Sequence, residues 1–224
     1  MAAVPEPPEV LRPVVAAFDV DGTITVGDCV VPFVRQVAGT PQVARALLAR
    51  SGPVAAALVR RDRDRMKALV SHAAFAGRPS GDVEQLALVF AADVARRGLR
   101  ADTMARVAWH RAAGHATVLV SASYAAYLRP LATRLGIDGV VGTELEVDPD
   151  GRCTGRILGH NCRGPEKVAR LHAWLDEHHG GRAAVELWAY GDSAGDRDLL
   201  ADADRPHWAK DVVLTAAPEP GDRP

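Results

Sequence analysis

The chain has 224 residues, 48% of them hydrophobic and 25% charged, the ordinary balance of a globular protein with a sizeable core, which excludes disorder throughout. Its 27 lysines and arginines against 28 aspartates and glutamates leave a net charge of −1, so no bulk field draws it to nucleic acid or to an anionic membrane. No run approaches the roughly 18–20 consecutive apolar residues of a membrane span, Met1 to Pro13 lacks the basic and apolar regions of a signal peptide, and Cys29, Cys153 and Cys162 show no CxxC spacing, which fits buried thiols in a reducing cytoplasm.

In chain order, the proline-bearing ends, 1–13 and 216–224, read as flexible, because proline fixes φ and removes a backbone donor. Val14 to Phe18 is a short apolar run that stops abruptly at Asp19, the pattern of a buried parallel strand feeding a functional loop. Residues 30–113 then carry helix punctuation and almost no strand signal. Thr40-Pro41 reads as a helix start, and Gly52, Gly77, Gly98 and Gly114 fall where helices stop. Val43, Ala44, Leu47 and Leu48 share one helical face, as do Leu86, Val89, Phe90 and Val94, followed by Met104, Val107 and Ala108. These stripes predict core packing within an inserted bundle of four or five helices. The mixed run Arg60 to Arg65 reads as a solvated turn between helices, with a cationic rim for an anionic substrate as the alternative.

His115 to Val120 repeats the strand pattern before Ser121, and Val140-Val141 is a weaker strand candidate. Glu144 to Val147 and Cys153 to Ile157 alternate around Asp148-Pro149-Asp150-Gly151, which predicts a β-hairpin. Pro165 opens a helix with Val168, Leu171 and Leu175 on one face, ended by His178-His179, whose charge complements a helix C-terminus. Val185 to Tyr190 is a third strand, ending at Gly191-Asp192, and Val212 to Leu214 is a weaker fourth. Strands that each end in a polar cluster, with helices between them, predict an α/β fold with a parallel sheet and ligands at the carboxyl ends of its strands. The domains follow: 14–29 and 114–215 form the α/β core, and 30–113 the helical insertion.

The chemistry concentrates at those strand ends. Asp19 and Asp21 can divide the roles of nucleophile and proton donor, and Gly22 lets the backbone of Gly22 and Thr23 turn its amides toward an anion. Ser121 offers a hydroxyl to a phosphate oxygen, and Lys167, in a first helical turn where the macrodipole disfavours a cation, offers a point charge. Asp192 and Asp196 complete an oxygen-rich set suited to a hard divalent cation. The histidines, among them His110, His115, His160, His172, His178, His179 and His207, are scattered without zinc-binding spacing.

In this order, Asp19-Val20-Asp21-Gly22-Thr23, Val120-Ser121, Lys167, and Gly191-Asp192 through Asp196 resemble the four motifs of the haloacid dehalogenase-like hydrolase superfamily. The insertion after the first motif resembles the C1-type cap of the phosphoserine phosphatase-like branch, subfamily IB. The resemblance implies a Rossmann-like core and a Mg²⁺-dependent phosphomonoester hydrolase acting on a small phosphorylated metabolite or headgroup. Asp19 would form an aspartyl-phosphate, and Asp21 would serve as acid and then base. Gly22, Thr23, Ser121 and Lys167 would bind phosphate, and Asp19, Asp21, Asp192 and Asp196 would surround the metal, Asp196 more remotely. Asp28, nine residues after Asp19, matches the position at which phosphoserine phosphatases meet the substrate ammonium, with capping of the helix at Val30 as the alternative. Ser121-Ala122-Ser123 departs from the two glycines usual there in phosphoserine phosphatases and argues for another substrate. A phosphomutase of the same superfamily, a receiver-type phosphoacceptor module and a binding scaffold without turnover are the competing readings.

Overall fold

The structure, a computed structural model, describes residues 12–210 together with Leu214 and Ala217. The strand expected at Val212 to Leu214 and the ends 1–11, 216 and 218–224 therefore lie outside the described residues, apart from Leu214 itself. Arg12 and Pro13, expected to be flexible, are held: Arg12 donates to the Val185 carbonyl at 2.8 Å and pairs with Asp204, and Glu186 N donates to the Pro13 carbonyl.

Strand β1, Val14–Phe18, is followed by six helices, α1 (Val30–Ala38), α2 (Thr40–Leu48), α3 (Ser51–Val59), α4 (Arg63–Phe75), α5 (Ser80–Arg97) and α6 (Ala101–Ala112). Then come β2 (Ala116–Tyr124), α7 (Ala125–Leu135), β3 (Gly139–Thr143), the hairpin β4 (Leu145–Val147) and β5 (Cys153–Ile157), and α8 (Pro165–His179). β6 (Glu186–Gly191), α9 (Arg197–Asp202) and β7 (Arg205–Trp208) close the described fold. The main sheet has the order β3-β2-β1-β6-β7, with every pairing parallel. No helix among the described residues is long and apolar enough to cross a membrane.

The central strand is apolar on both faces because it is buried on both. Val15 and Ala17 join Val118, Val120, Leu187 and Ala189 beneath Leu171 and Leu175 of α8 and Leu199 of α9. Ala16 and Phe18 face the other way, into a core shared with the inserted helices and α7. On that side Phe18 stacks on Tyr190 at 4.4 Å between ring centroids, and Tyr190 on His207 at 4.7 Å, a ladder running across β1, β6 and β7. Such pairs contribute about 0.5–1.5 kcal/mol beyond area burial. α6 lies over this ladder, and His110 Nε2 meets the Tyr190 hydroxyl at 2.9 Å.

Several expectations change. The insertion holds six helices, not four or five, because α2 and α3 are separate nine-residue pieces; α2 stops at Leu48, and Gly52 lies inside α3 instead of ending a helix. The stripe on α5 is rotated: Val83, Ala87, Phe90 and Ala91 are buried, while Val89 points to solvent. The face expected on α2 packs poorly, with none of its residues buried. β2 runs past Val120 to Tyr124 through a break in register, which carries Ser121 and Ser123. β7 has no apolar signature because it is an edge strand and contains Pro206. The hairpin, the helix from Pro165 and the three buried free cysteines match expectation.

Burial first, then the neighbouring His115 and Arg106, pushes the His110 imidazole down to about 3. The unfolded chain therefore binds a proton here between about pH 6.5 and 3 that the folded chain does not, so stability is complete above the unfolded value and falls with pH through this window. The acid limb of a stability curve measured by denaturant titration should flatten in His110→Gln, by at most about 1.4 kcal/mol per pH unit.

Candidate active site

The loop after β1 carries the first two carboxylates. Asp19 is buried at the strand end, its N–H donating to the Tyr190 carbonyl at 2.9 Å. The backbone then reverses through Gly22 at φ +89°, a conformation that glycine adopts without strain. A Cβ at Gly22 would collide with the Asp192 carboxylate, its Cγ lying 2.8 Å away. Gly22 is therefore required by turn geometry and by the close approach of the loop after β6.

Lys167 joins the two sides. Buried in the first turn of α8, its Nζ donates to Asp19 Oδ1 and Asp196 Oδ1, both at 2.5 Å. Burial would lower the lysine, but the two carboxylates outweigh it and hold it above its ordinary value. This pairing explains a cation at a helix N-terminus. Asp196 is buried and fully engaged: Oδ1 takes Lys167, and Oδ2 accepts from Ser193 N at 2.9 Å and Ser193 Oγ at 2.8 Å. Burial pushes its carboxyl up, yet Lys167 and Ser193 together hold it below the usual range.

Asp19 behaves differently. Burial raises it to about 7 against the pull of Lys167, and Asp196 and Asp21 add to the rise. Asp21 is also raised, chiefly by burial, against hydrogen bonds from Ser123 and Cys29. Its Oδ2 accepts from Ser123 Oγ at 2.5 Å and its Oδ1 from Cys29 N at 2.8 Å, which fixes the carboxylate. Ser121 is buried nearby; its Oγ accepts from Ser123 N at 3.1 Å and keeps its own proton to donate. Thr23 Oγ1 is buried with no hydrogen-bond partner among the described residues.

The residues fit a divalent cation. Oxygens of Asp19, Asp192 and Asp196 lie within 4.8 Å of one another, and Asp192 Oδ1 is buried without a hydrogen-bond partner. Asp192 is raised by burial and by Asp196. One lysine among Asp19, Asp21, Asp192 and Asp196 leaves excess negative charge that a hard cation with oxygen ligands would balance. The hydrogen bonds of Asp196 make it the anchor of Lys167, whereas Asp192 keeps a free oxygen.

Asp28 is exposed, and its two oxygens accept from Val30 N at 3.3 Å and Val31 N at 2.9 Å, so it caps α1. Three further residues near the site are not singled out as site residues by the sequence. Ser123 stood out only as a departure from a motif. Lys67 reaches from α4 to donate to the Ala122 carbonyl and, at 3.2 Å, to Thr143 Oγ1, with its ammonium 4.6 Å from the Tyr124 ring centroid. Burial lowers it to about 8, against Asp21 and other acids. Arg100 donates to the carbonyls of Gly22 and Ala209, both at 2.9 Å, and pairs with Asp102.

Ser123→Ala should lower turnover on the order of tenfold and move Asp21 further up, because the lost hydrogen bond favours the ionised form. A pH–rate profile with unchanged limbs would show that Ser123 does not set this group.

The protein CicA of Caulobacter vibrioides is 36% identical over 193 residues, covering 86% of this chain and 84% of that protein. Phosphoserine phosphatase SerB2 of Mycobacterium tuberculosis is 30% identical over 83% of this chain, which spans 41% of that larger protein. A crystal structure of a protein of unknown function from Bordetella pertussis superposes with a TM-score of 0.71 at 27% identity, covering 88% of this chain and 89% of that one. A family model matches residues 16–201, from the middle of β1 into α9. The chain belongs to the haloacid dehalogenase-like hydrolase family.

Proposed function

We propose that the chain hydrolyses the phosphomonoester of a small phosphorylated molecule or headgroup, with Asp19 as nucleophile. The observation that carries this reading is the pairing of a lysine-held Asp19 with a separately oriented Asp21 at one strand end. An ionised Asp19 attacks phosphorus and forms an aspartyl-phosphate while the P–O bond to the leaving oxygen breaks. Asp21, whose burial favours the protonated form, gives its proton to that oxygen. The carboxylate so formed then removes a proton from the water that opens the aspartyl-phosphate, restoring both residues.

Lys167, the Ser121 hydroxyl and the amides following Asp19 stabilise the transferring phosphoryl group, the main source of rate in such reactions. Thr23 Oγ1 supplies a further donor. Asp19 and Asp192, with the Asp21 carbonyl, would hold Mg²⁺, and Asp196 would support Lys167. When bound, the cation would neutralise charge between Asp19 and the phosphate oxygens and draw the nucleophile's pKa down from about 7. SerB2 supports the phosphatase reading by its name, and the three free, buried thiols accord with a cytoplasmic setting.

Asp19→Asn should abolish phosphate release from a phosphomonoester panel, by at least about 10³-fold, while leaving circular dichroism unchanged. EDTA should silence the wild type and added Mg²⁺ restore it. Beryllofluoride should label Asp19 in the wild type and leave Asp19→Asn unlabelled. Turnover that survives both EDTA and Asp19→Asn would sink the mechanism. Isomerisation of a hexose 1-phosphate without release of free phosphate would point to a mutase.

A further inference from the structure

The least packed part of the fold is α2 and α3. None of α2 is buried, and Ala57 alone is buried in α3. Leu48 is 74% exposed, Leu58 63% and Val59 84%. Ala55, Leu58 and Val59 stand at i, i+3 and i+4, so they share one outward face of a helix that contains no charged residue. A soluble surface rarely leaves large aliphatic side chains together in this way unless something covers them.

The same stretch of chain is rich in arginine. Residues 40–65 carry six arginines, Arg45, Arg50, Arg60, Arg61, Arg63 and Arg65, against two aspartates, a net +4 in a chain whose total is −1. The remainder is therefore −5, and the near-neutral total conceals a strong separation of charge. Both aspartates are engaged: Asp62 accepts from Arg65 N and caps α4, and Asp64 accepts from Asn161 Nδ2 at 2.7 Å. None of the six guanidinium groups has an ion-pair partner among the described residues. Arg50 and Arg65 also line a cavity of about 560 Å³ between α4 and the hairpin, into which Arg156 opens as well.

We propose that this face docks on the surface of an anionic lipid bilayer. The aliphatic side chains of α3 enter the boundary between headgroups and acyl chains, and the arginines at both ends of the helix reach lipid phosphates. Nine residues of helix, ~13.5 Å at 1.5 Å per residue, cannot span a bilayer and so lie in its plane. A second copy of the chain in a two-fold contact would set like-charged rims against one another, and nucleic acid would leave the aliphatic centre uncovered. An anionic bilayer satisfies both halves of the patch. The excess negative charge on the rest of the molecule orients the arginine face toward it.

The test is sedimentation of the full chain with vesicles of phosphatidylcholine alone or mixed with phosphatidylglycerol. The chain should pellet with the mixed vesicles only. Raised salt, the double variant Arg60→Glu with Arg61→Glu, and the double variant Leu58→Ser with Val59→Ser should each reduce binding on the order of tenfold. The four side chains are exposed, so circular dichroism and hydrolysis of a water-soluble phosphomonoester should stay at wild-type levels. Binding indifferent to lipid charge, or unchanged in either double variant, overturns the proposal. Self-association abolished by Leu58→Ser with Val59→Ser, without vesicle binding, also overturns it and makes the face a subunit contact. Vesicle binding is scored without substrate, so it stands or falls apart from the phosphatase reading.

Discussion

A buried ammonium between two buried carboxylates is the interaction on which the site depends. Lys167 cannot be removed from water without partners, and Asp19 and Asp196 supply them from opposite ends of the sheet sequence. The pairing draws the start of α8, the end of β1 and the loop after β6 to one point. Backbone contacts reinforce it: Gly164 N donates to the Gly195 carbonyl, and Lys167 N to the Gly164 carbonyl. The division of labour among the acids follows. Asp196 is saturated with donors, while Asp192 and Asp19 retain oxygen capacity and negative charge for a cation.

The inserted helices are joined to the site itself. Arg100 holds the carbonyl of Gly22, the Val26 amide donates to the Gly98 carbonyl, and Lys67 from α4 reaches the peptide between Ser121 and Ser123. The insertion thus hydrogen-bonds directly to the loops that carry Asp21, Gly22 and Ser123. Displacement of α4 would be felt at the Ala122 carbonyl and, through Ser123, at the Asp21 carboxylate.

The parts legible in sequence were those with a local signature. A strand doubly buried by α/β layering reads as Val-Val-Ala-Ala-Phe, and a strand end that opens into a polar cluster reads as an abrupt Asp or Ser. Asp19, Asp21, Ser121 and Asp192 could be named this way, and Lys167 from its place in a first helical turn. What depended on distant packing could not. Lys67 looks like any lysine after a charged turn until α4 is placed against β2, and Ser123 gains its partner only from the bend in β2. β7 carries no signal because an edge strand needs no apolar run, and the stripe expected on α5 is off by part of a turn because Val89 and Val83 differ only in what faces them.

The strand order carries a consequence for how the chain acquires its shape. β1 is synthesised first but sits in the middle of the sheet, between β2 and β6. Its neighbours arrive only after α1–α6 and, for β6, after most of the chain has been made. During synthesis the apolar run from Val14 to Phe18 must wait unpaired while the local helices form around it. These long-range pairings impose a late, entropically costly closure, and a transiently exposed strand of this kind is a site for contact with chaperones or with other nascent chains. The strand that leads into Asp19 is therefore among the last to be secured.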